Sequence, residues 1–130
     1  GCEIILQNSY EVPTGYHMTG KTYEEFSDIM RQNAMEDAQE FLKKNKIEEK
    51  DVRIVLSFDD EDDPGERAYQ VASSEKADLI VIASRGRTEF ASLLLGSVAE
   101  KMLRYDSNIP LLIVKDKKEN LGFFQALLRI

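Results

Sequence analysis

The sequence contains one cysteine, one histidine and no long uninterrupted apolar run. With Cys2 alone no internal disulfide can form, which favours a reducing compartment such as the cytoplasm. No apolar run approaches the roughly 20 residues that a membrane-spanning helix needs, so we expect no membrane association. At 130 residues the chain is long enough to bury the core of one ordinary soluble domain.

Residue patterns for catalysis are also scarce. His17 lies in a polar segment with no carboxylate or serine at a readable spacing, so we interpret it as a surface histidine. Cys2 has no histidine nearby that would activate its thiol. The sequence offers no recognisable Ser-His-Asp order and no cluster of metal ligands, so enzymatic chemistry is weakly supported.

Cations are too few for a nucleic-acid-binding surface. The formal net charge is −7, whereas nonspecific binding of nucleic acid depends on an excess of lysine and arginine. We therefore expect no nucleic-acid partner.

Apolar runs alternate with helical patterns along the chain. We predict strands at Ile4–Tyr10, Val52–Leu56, Leu79–Ala83 and Leu111–Val114. We predict helices from Thr22 to about Asn45, from Glu66 to Lys76 and from Gly96 to about Tyr105. Thr22 and Glu25 form the capping box of the first helix. Strands that alternate with helices at this spacing predict parallel pairing with right-handed crossovers.

The first predicted helix carries an apolar stripe at helical spacing. Its members are Phe26, Ile29, Met30, Ala34, Ala38, Phe41 and Leu42. Such a stripe could serve a cofactor, but we interpret it as the side of the helix that faces the sheet.

A phosphate-binding pattern follows the third predicted strand. The small-residue segment Ala83–Gly86 comes directly after the apolar run, and Gly96-Ser97 opens the next helix. Free backbone N–H groups and the positive end of a helix dipole favour phosphate at such a place. Arg85 and Arg87 add cationic side chains beside it. An ordinary loop before a capped helix is the alternative interpretation.

The segments Asp78–Thr88, Leu93–Lys101 and Pro110–Val114 closely resemble the universal stress protein (UspA) family. The family's nucleotide motif is Gly, two residues, Gly, nine residues, then Gly-Ser or Gly-Thr; Gly86, Gly96 and Ser97 match it, and Ala83 replaces the first glycine. The resemblance implies an α/β three-layer sandwich with a mostly parallel sheet, of Rossmann-like adenine-nucleotide-binding type. It also implies a cytoplasmic regulator of the stress response that binds ATP. The implied binding residues are Ala83, Ser84, Arg85, Gly86, Arg87, Gly96, Ser97 and Val98.

Two departures from the family pattern support a second interpretation. The methyl group of Ala83 narrows the space for a phosphate or ribose. Family members begin with a further central strand, which usually carries an Asp that contacts the nucleoside, and this sequence begins at the family's second strand. The alternative function is therefore a dimerising scaffold without nucleotide. A nucleotide-hydrolysing or nucleotidyl-transferring enzyme is a third class, for which no general base is recognisable.

The acidic run Asp59–Asp63 follows the second predicted strand. Ligands bind at the carboxyl edge of such sheets, so the run could hold Mg²⁺ beside a triphosphate. We favour the simpler interpretation, a solvated loop that caps the next helix.

The two ends of the sequence also carry predictions. The missing strand would be replaced by closing of the sheet, by exchange between chains or by a preceding segment. Residues 1–114 form the predicted domain, and residues 115–130 a charged linker followed by a short apolar helix that covers its own domain, a dimer mate or a protein partner. In the family the last strand usually pairs with its copy, so we expect a homodimer through Leu111–Val114.

Overall fold

The structure, a computed structural model, describes residues 2–83, 97–105 and 108–114. The chain divides into two compact units, Gly1–Val71 and Ala72–Ile130. The strands are β1 (Ile4–Tyr10), β2 (Val52–Phe58), β3 (Ile80–Ala83) and β4 (Leu111–Val114), and the helices are α1 (Tyr23–Lys44), α2 (Pro64–Ser74) and α3 (Ser97–Arg104). Short 3₁₀ turns precede α1 at Tyr16–Thr19 and β2 at Glu49–Asp51.

In the first unit α1 connects β1 to β2 and packs on both strands. β1 and β2 pair in parallel from Ile4 opposite Val52 to Tyr10 opposite Phe58. The Asn8 amide on β1 donates to the carbonyl of Ala34 on α1 at 3.0 Å, which fixes the helix over the strand. This βαβ arrangement and the parallel pairing are those predicted from the sequence.

The start of α1 confirms the predicted capping box. Thr22 Oγ1 accepts from the Glu25 N–H at 3.2 Å, and the Glu25 carboxylate accepts from the Thr22 N–H at 3.1 Å. The last turn carries Lys43 and Lys44, whose charge complements the negative end of the helix dipole.

The apolar stripe of α1 is only partly buried. Ala34, Ala38 and Leu42 are buried, whereas Ile29 and Phe41 are 38% and 51% exposed. Phe41 directly precedes buried Leu42, so it lies about 100° around the helix from that residue. Ile29 lies more than one helical turn before Ala34, the first buried residue of the stripe. The predicted place of both residues facing the sheet was wrong.

α2 begins and ends two residues earlier than predicted. Asp63 Oδ1 accepts from the Glu66 N–H at 3.0 Å, so Asp63 caps the helix and Pro64 takes its first position. At the other end Lys76 has a left-handed φ of 54°, and the Ala77 N–H donates to the Ala72 carbonyl at 2.8 Å. This hydrogen bond is typical of a Schellman motif, which stops the helix before Lys76.

In the second unit β3 and β4 pair in parallel, with Val81 opposite Leu112 and Ala83 opposite Val114. The Ile80 N–H extends the ladder by donating to the Pro110 carbonyl at 2.9 Å. Ala99 and Met102 are buried on α3 and Ile80 is buried on β3. β4 has the predicted bounds, and β3 begins one residue later than predicted.

The described strands form two parallel two-stranded sheets, β1–β2 and β3–β4. The order of strands and helices confirms the α/β class. Residues 115–130, where we predicted a linker and an apolar helix, lie outside the described residues.

Candidate functional site

The predicted phosphate site lies between a strand end and a helix start. β3 ends at Ala83, which is exposed, and α3 begins at Ser97. Val98, in the first turn of α3, is 37% exposed. The first N–H groups of a helix have no partner within the helix, so the start of α3 offers donors to an anion.

The other predicted contacts fall in the segment that joins these two elements. Ser84, Arg85, Gly86, Arg87 and Gly96 lie outside the described residues, as does the side chain of Ser97. Their roles stay predictions. The structure contributes the two ends of the motif, a strand terminus at Ala83 and a helix terminus at Ser97.

The acidic run forms a defined loop after β2. The Asp59 N–H donates to the Tyr10 carbonyl at 2.8 Å, which ties the end of β2 to the end of β1. Asp59 Oδ1 accepts from the N–H groups of Glu61 and Asp63, at 3.3 and 3.0 Å. Asp62 adopts a left-handed φ of 53°, a conformation that aspartate tolerates better than most residues. The loop thus uses its first carboxylate to fold and its last to cap α2.

Arg67 neutralises this loop from the first turns of α2. Its guanidinium lies 3.7 Å from Asp59 Oδ1 through Nε, and 3.2 Å from Asp60 Oδ1 and 3.4 Å from Glu61 Oε2 through Nη2. Nη1 donates to Gln70 Oε1 at 2.7 Å, which orients the guanidinium plane. The Arg67 side chain is 16% exposed and that of Asp59 6%, so this pair is largely removed from water.

This geometry favours the capping interpretation of the acidic run over a magnesium site. Three of its carboxylates face one arginine, and the backbone of the run is folded around Asp59. In residues 2–83, 97–105 and 108–114, no group of three or more His, Cys, Asp or Glu side chains is arranged to hold a metal ion.

Arg67 was missed from the sequence, although a signal for it exists. It stands four residues after Asp63, so it lies one helical turn beyond the N-cap of α2. An arginine at that spacing after an acidic run can fold back over it. The sequence alone does not show that its side chain is buried.

The remaining candidate side chains lie at the surface. His17 is exposed as predicted and contacts the Tyr16 ring edge-on, with ring centroids 5.8 Å apart. Cys2 is exposed as well. Tyr10 and Phe58, which end β1 and β2, form a tilted aromatic pair with centroids 5.7 Å apart.

Two solved structures are similar to this chain. That of the hypothetical protein PH0823 superposes with a TM-score of 0.65 at 24% identity, covering 88% of this chain and 75% of that one. A structure of the hypothetical protein MJ0577 gives a TM-score of 0.55 at 26% identity, covering 88% of this chain and 76% of that one. With the parallel βαβ order described above, these similarities define a Rossmann-like α/β protein of the three-layer sandwich class.

The sequence comparisons define the family within that class. The sequence model of the Universal stress protein family matches residues 7–115. Universal stress protein MJ0577 of Methanocaldococcus jannaschii is 31% identical over 121 residues, covering 88% of this chain and 71% of that protein. Universal stress protein MJ0531 of the same organism is 36% identical over 100 residues, covering 75% of this chain and 55% of that protein. The chain belongs to the universal stress protein family.

Among the described helices, none has the length and the apolar composition that crossing a bilayer requires.

Proposed function

We propose that this chain binds an adenine nucleotide, ATP, and acts as a regulator in the stress response. One observation carries the proposal: β3 ends at Ala83 and α3 begins at Ser97, so a strand end and a helix start bracket the motif that contains Gly86 and Gly96. A turn of this kind presents N–H donors and a positive dipole end to phosphate. The family match spans the whole of this segment.

In the proposed complex, the glycines let the backbone approach the phosphates, and Ser97 donates its N–H and hydroxyl to them. Arg85 and Arg87 neutralise phosphate charge. Mg²⁺ accompanies the triphosphate. The ion is held mainly by phosphate oxygens and water, so the protein needs to supply only one or two carboxylates. The domain acts in the cytoplasm, which the single cysteine supports.

Ala83 favours one competing function, a dimerising scaffold that does not bind nucleotide. Its methyl group stands on the exposed last residue of β3, where the family motif has glycine. A methyl group there reduces the room beside the turn. The two functions differ in a single property, the affinity for ATP.

The substitution Gly96→Val tests the site. A branched side chain at this position occupies the approach of the phosphates, so we expect at least a tenfold loss of ATP affinity, about 1.4 kcal/mol. Isothermal titration calorimetry with ATP, with and without Mg²⁺, measures it, and thermal melting checks that the fold is kept.

Gly15→Val is the matched control. Gly15 has a φ of −83°, and a Cβ added there meets no atom within 4 Å, so the same change fits without strain. Equal ATP affinity in wild type and Gly96→Val would place the nucleotide elsewhere. Absence of ATP binding in the wild type would favour the scaffold.

A further inference from the structure

The β3–β4 sheet has one covered face and one open apolar face. Ile80 is 8% exposed and Ile82, Leu111 and Ile113 are half-buried on the covered face. The open face consists of alternating residues of the same two strands and of Leu79, which directly precedes β3; the exposed fractions are Leu79 (50%), Val81 (57%), Leu112 (50%) and Val114 (41%).

An open apolar face is unusual for a parallel sheet. Such sheets are normally covered on both sides, and their strands are apolar on both sides for that reason. Val81 and Leu112 are register partners, so their side chains stand next to each other and form a continuous patch rather than scattered contacts. A continuous exposed apolar patch indicates a surface that another segment covers.

We propose that the segment Leu121–Ile130 of the same chain docks on this open face. It contains six large apolar residues: Leu121, Phe123, Phe124, Leu127, Leu128 and Ile130. On the predicted helix these fall within one half of the circumference, and Gln125 and Arg129 fall on the other half. The segment thus presents one apolar side and one polar side.

The length of the segment and its covalent link to β4 favour it as the occupant of the open face. β4 ends at Val114, and the six residues Lys115–Asn120 reach at most about 20 Å when extended. Leu112 lies about 7 Å back along β4 from Val114, within that reach. A ten-residue helix is about 15 Å long, and the open face from Leu79 to Val114 extends over about 13 Å of strand. Because the segment is tethered, it competes at high effective concentration against any separate chain.

Paramagnetic relaxation in the full chain tests the contact. Cys2→Ser removes the native thiol, and Gln125→Cys carries a spin label on the polar side of the segment. We expect the methyl NMR signals of Val81, Leu112 and Val114 to lose most of their intensity. We then mix these spin-labelled chains with an excess of chains that carry neither a spin label nor NMR-visible methyl groups. We expect the same loss of intensity, because the contact lies within one chain.

Two tail variants of the labelled chain complete the design. Phe123→Asp with Phe124→Asp places two carboxylates on the apolar side, so the signals should recover. Asn120→Asp with Arg129→Asp adds negative charge but keeps every apolar residue, so the loss should persist. The methyl signal of buried Met102 reports that the unit stays folded in each.

Unaffected methyl signals on the open face in the singly labelled chain would overturn the proposal. Broadening that vanishes on dilution would overturn it as well, and would assign the face to a second copy. If the Phe123→Asp, Phe124→Asp variant unfolds, the labelled chain with the natural tail still decides between these results.

Discussion

Arg67 is the cation that faces the acidic loop. Its guanidinium faces Asp59, Asp60 and Glu61, but the three pairs differ in burial. Asp60 and Glu61 have side chains that are more than half exposed, so water screens their attraction. Asp59 is buried. Besides Arg67, the backbone N–H groups of Glu61 and Asp63 face its carboxylate and donate hydrogen bonds to it.

We predict that Arg67→Met lowers the free energy of unfolding by about 3 kcal/mol, because it leaves the buried Asp59 carboxylate without its cation. Urea denaturation followed by circular dichroism measures the change.

Lys50→Met is the matched control. The Lys50–Glu48 pair is shorter, at 2.9 Å, but both side chains are about two-thirds exposed or more. Its loss should cost less than about 1 kcal/mol. Equal costs for the two substitutions would show that burial of Asp59 does not set the contribution of Arg67.

Among the secondary-structure elements, β4 is the strand through which we expect two copies of the chain to pair. Among the described strands it pairs only with β3, so its other side carries backbone N–H and C=O groups that a further strand could engage. An apolar edge of this kind promotes pairing with another chain.

We predict a homodimer through the edge of β4, measured by light scattering at micromolar concentration. The variant Phe123→Asp with Phe124→Asp is the control, because it changes the tail and leaves the strand edge intact. It should remain a dimer. A wild-type mass of one chain, 14.8 kDa, would contradict this prediction.

Strands and helices could be predicted from the sequence where a local pattern of residues determines their bounds. The capping box at Thr22 and the alternation of apolar strands with helices gave β1, β4 and the start of α1 with their observed bounds. The end of α2 could not be predicted in this way, because Lys76 takes a left-handed conformation that is usually left to glycine. Ile29 and Phe41 were predicted to face the sheet and are exposed, because hydrophobic spacing alone does not show which apolar residues of a helix the neighbouring strands cover.

The candidate site could also be predicted from the sequence only in part. The strand end at Ala83 and the helix start at Ser97 follow from apolar patterning and from the Gly-Ser pair. The partnership of Arg67 with the acidic run depends on a side chain folding back over a loop. Sequence spacing permits that contact but does not require it.

At the scale of the whole molecule, the net charge bears directly on the proposed function. The chain carries a formal charge of −7, and ATP is itself an anion. Screening over about 8 Å at physiological salt removes most of the long-range repulsion. We therefore expect binding to depend on local donors, which are the start of α3 and, as proposed, Gly86, Arg85 and Arg87.

Native mass spectrometry tests whether this chain binds ATP. The purified chain is incubated with ATP at physiological salt and then transferred to a volatile buffer of matching ionic strength. We predict a species that carries one ATP per chain, together with nucleotide in the material as purified, read from its absorbance. The Gly96→Val variant should show the nucleotide-free mass alone. A wild-type chain that shows only the nucleotide-free mass, with or without Mg²⁺, would contradict the proposed function.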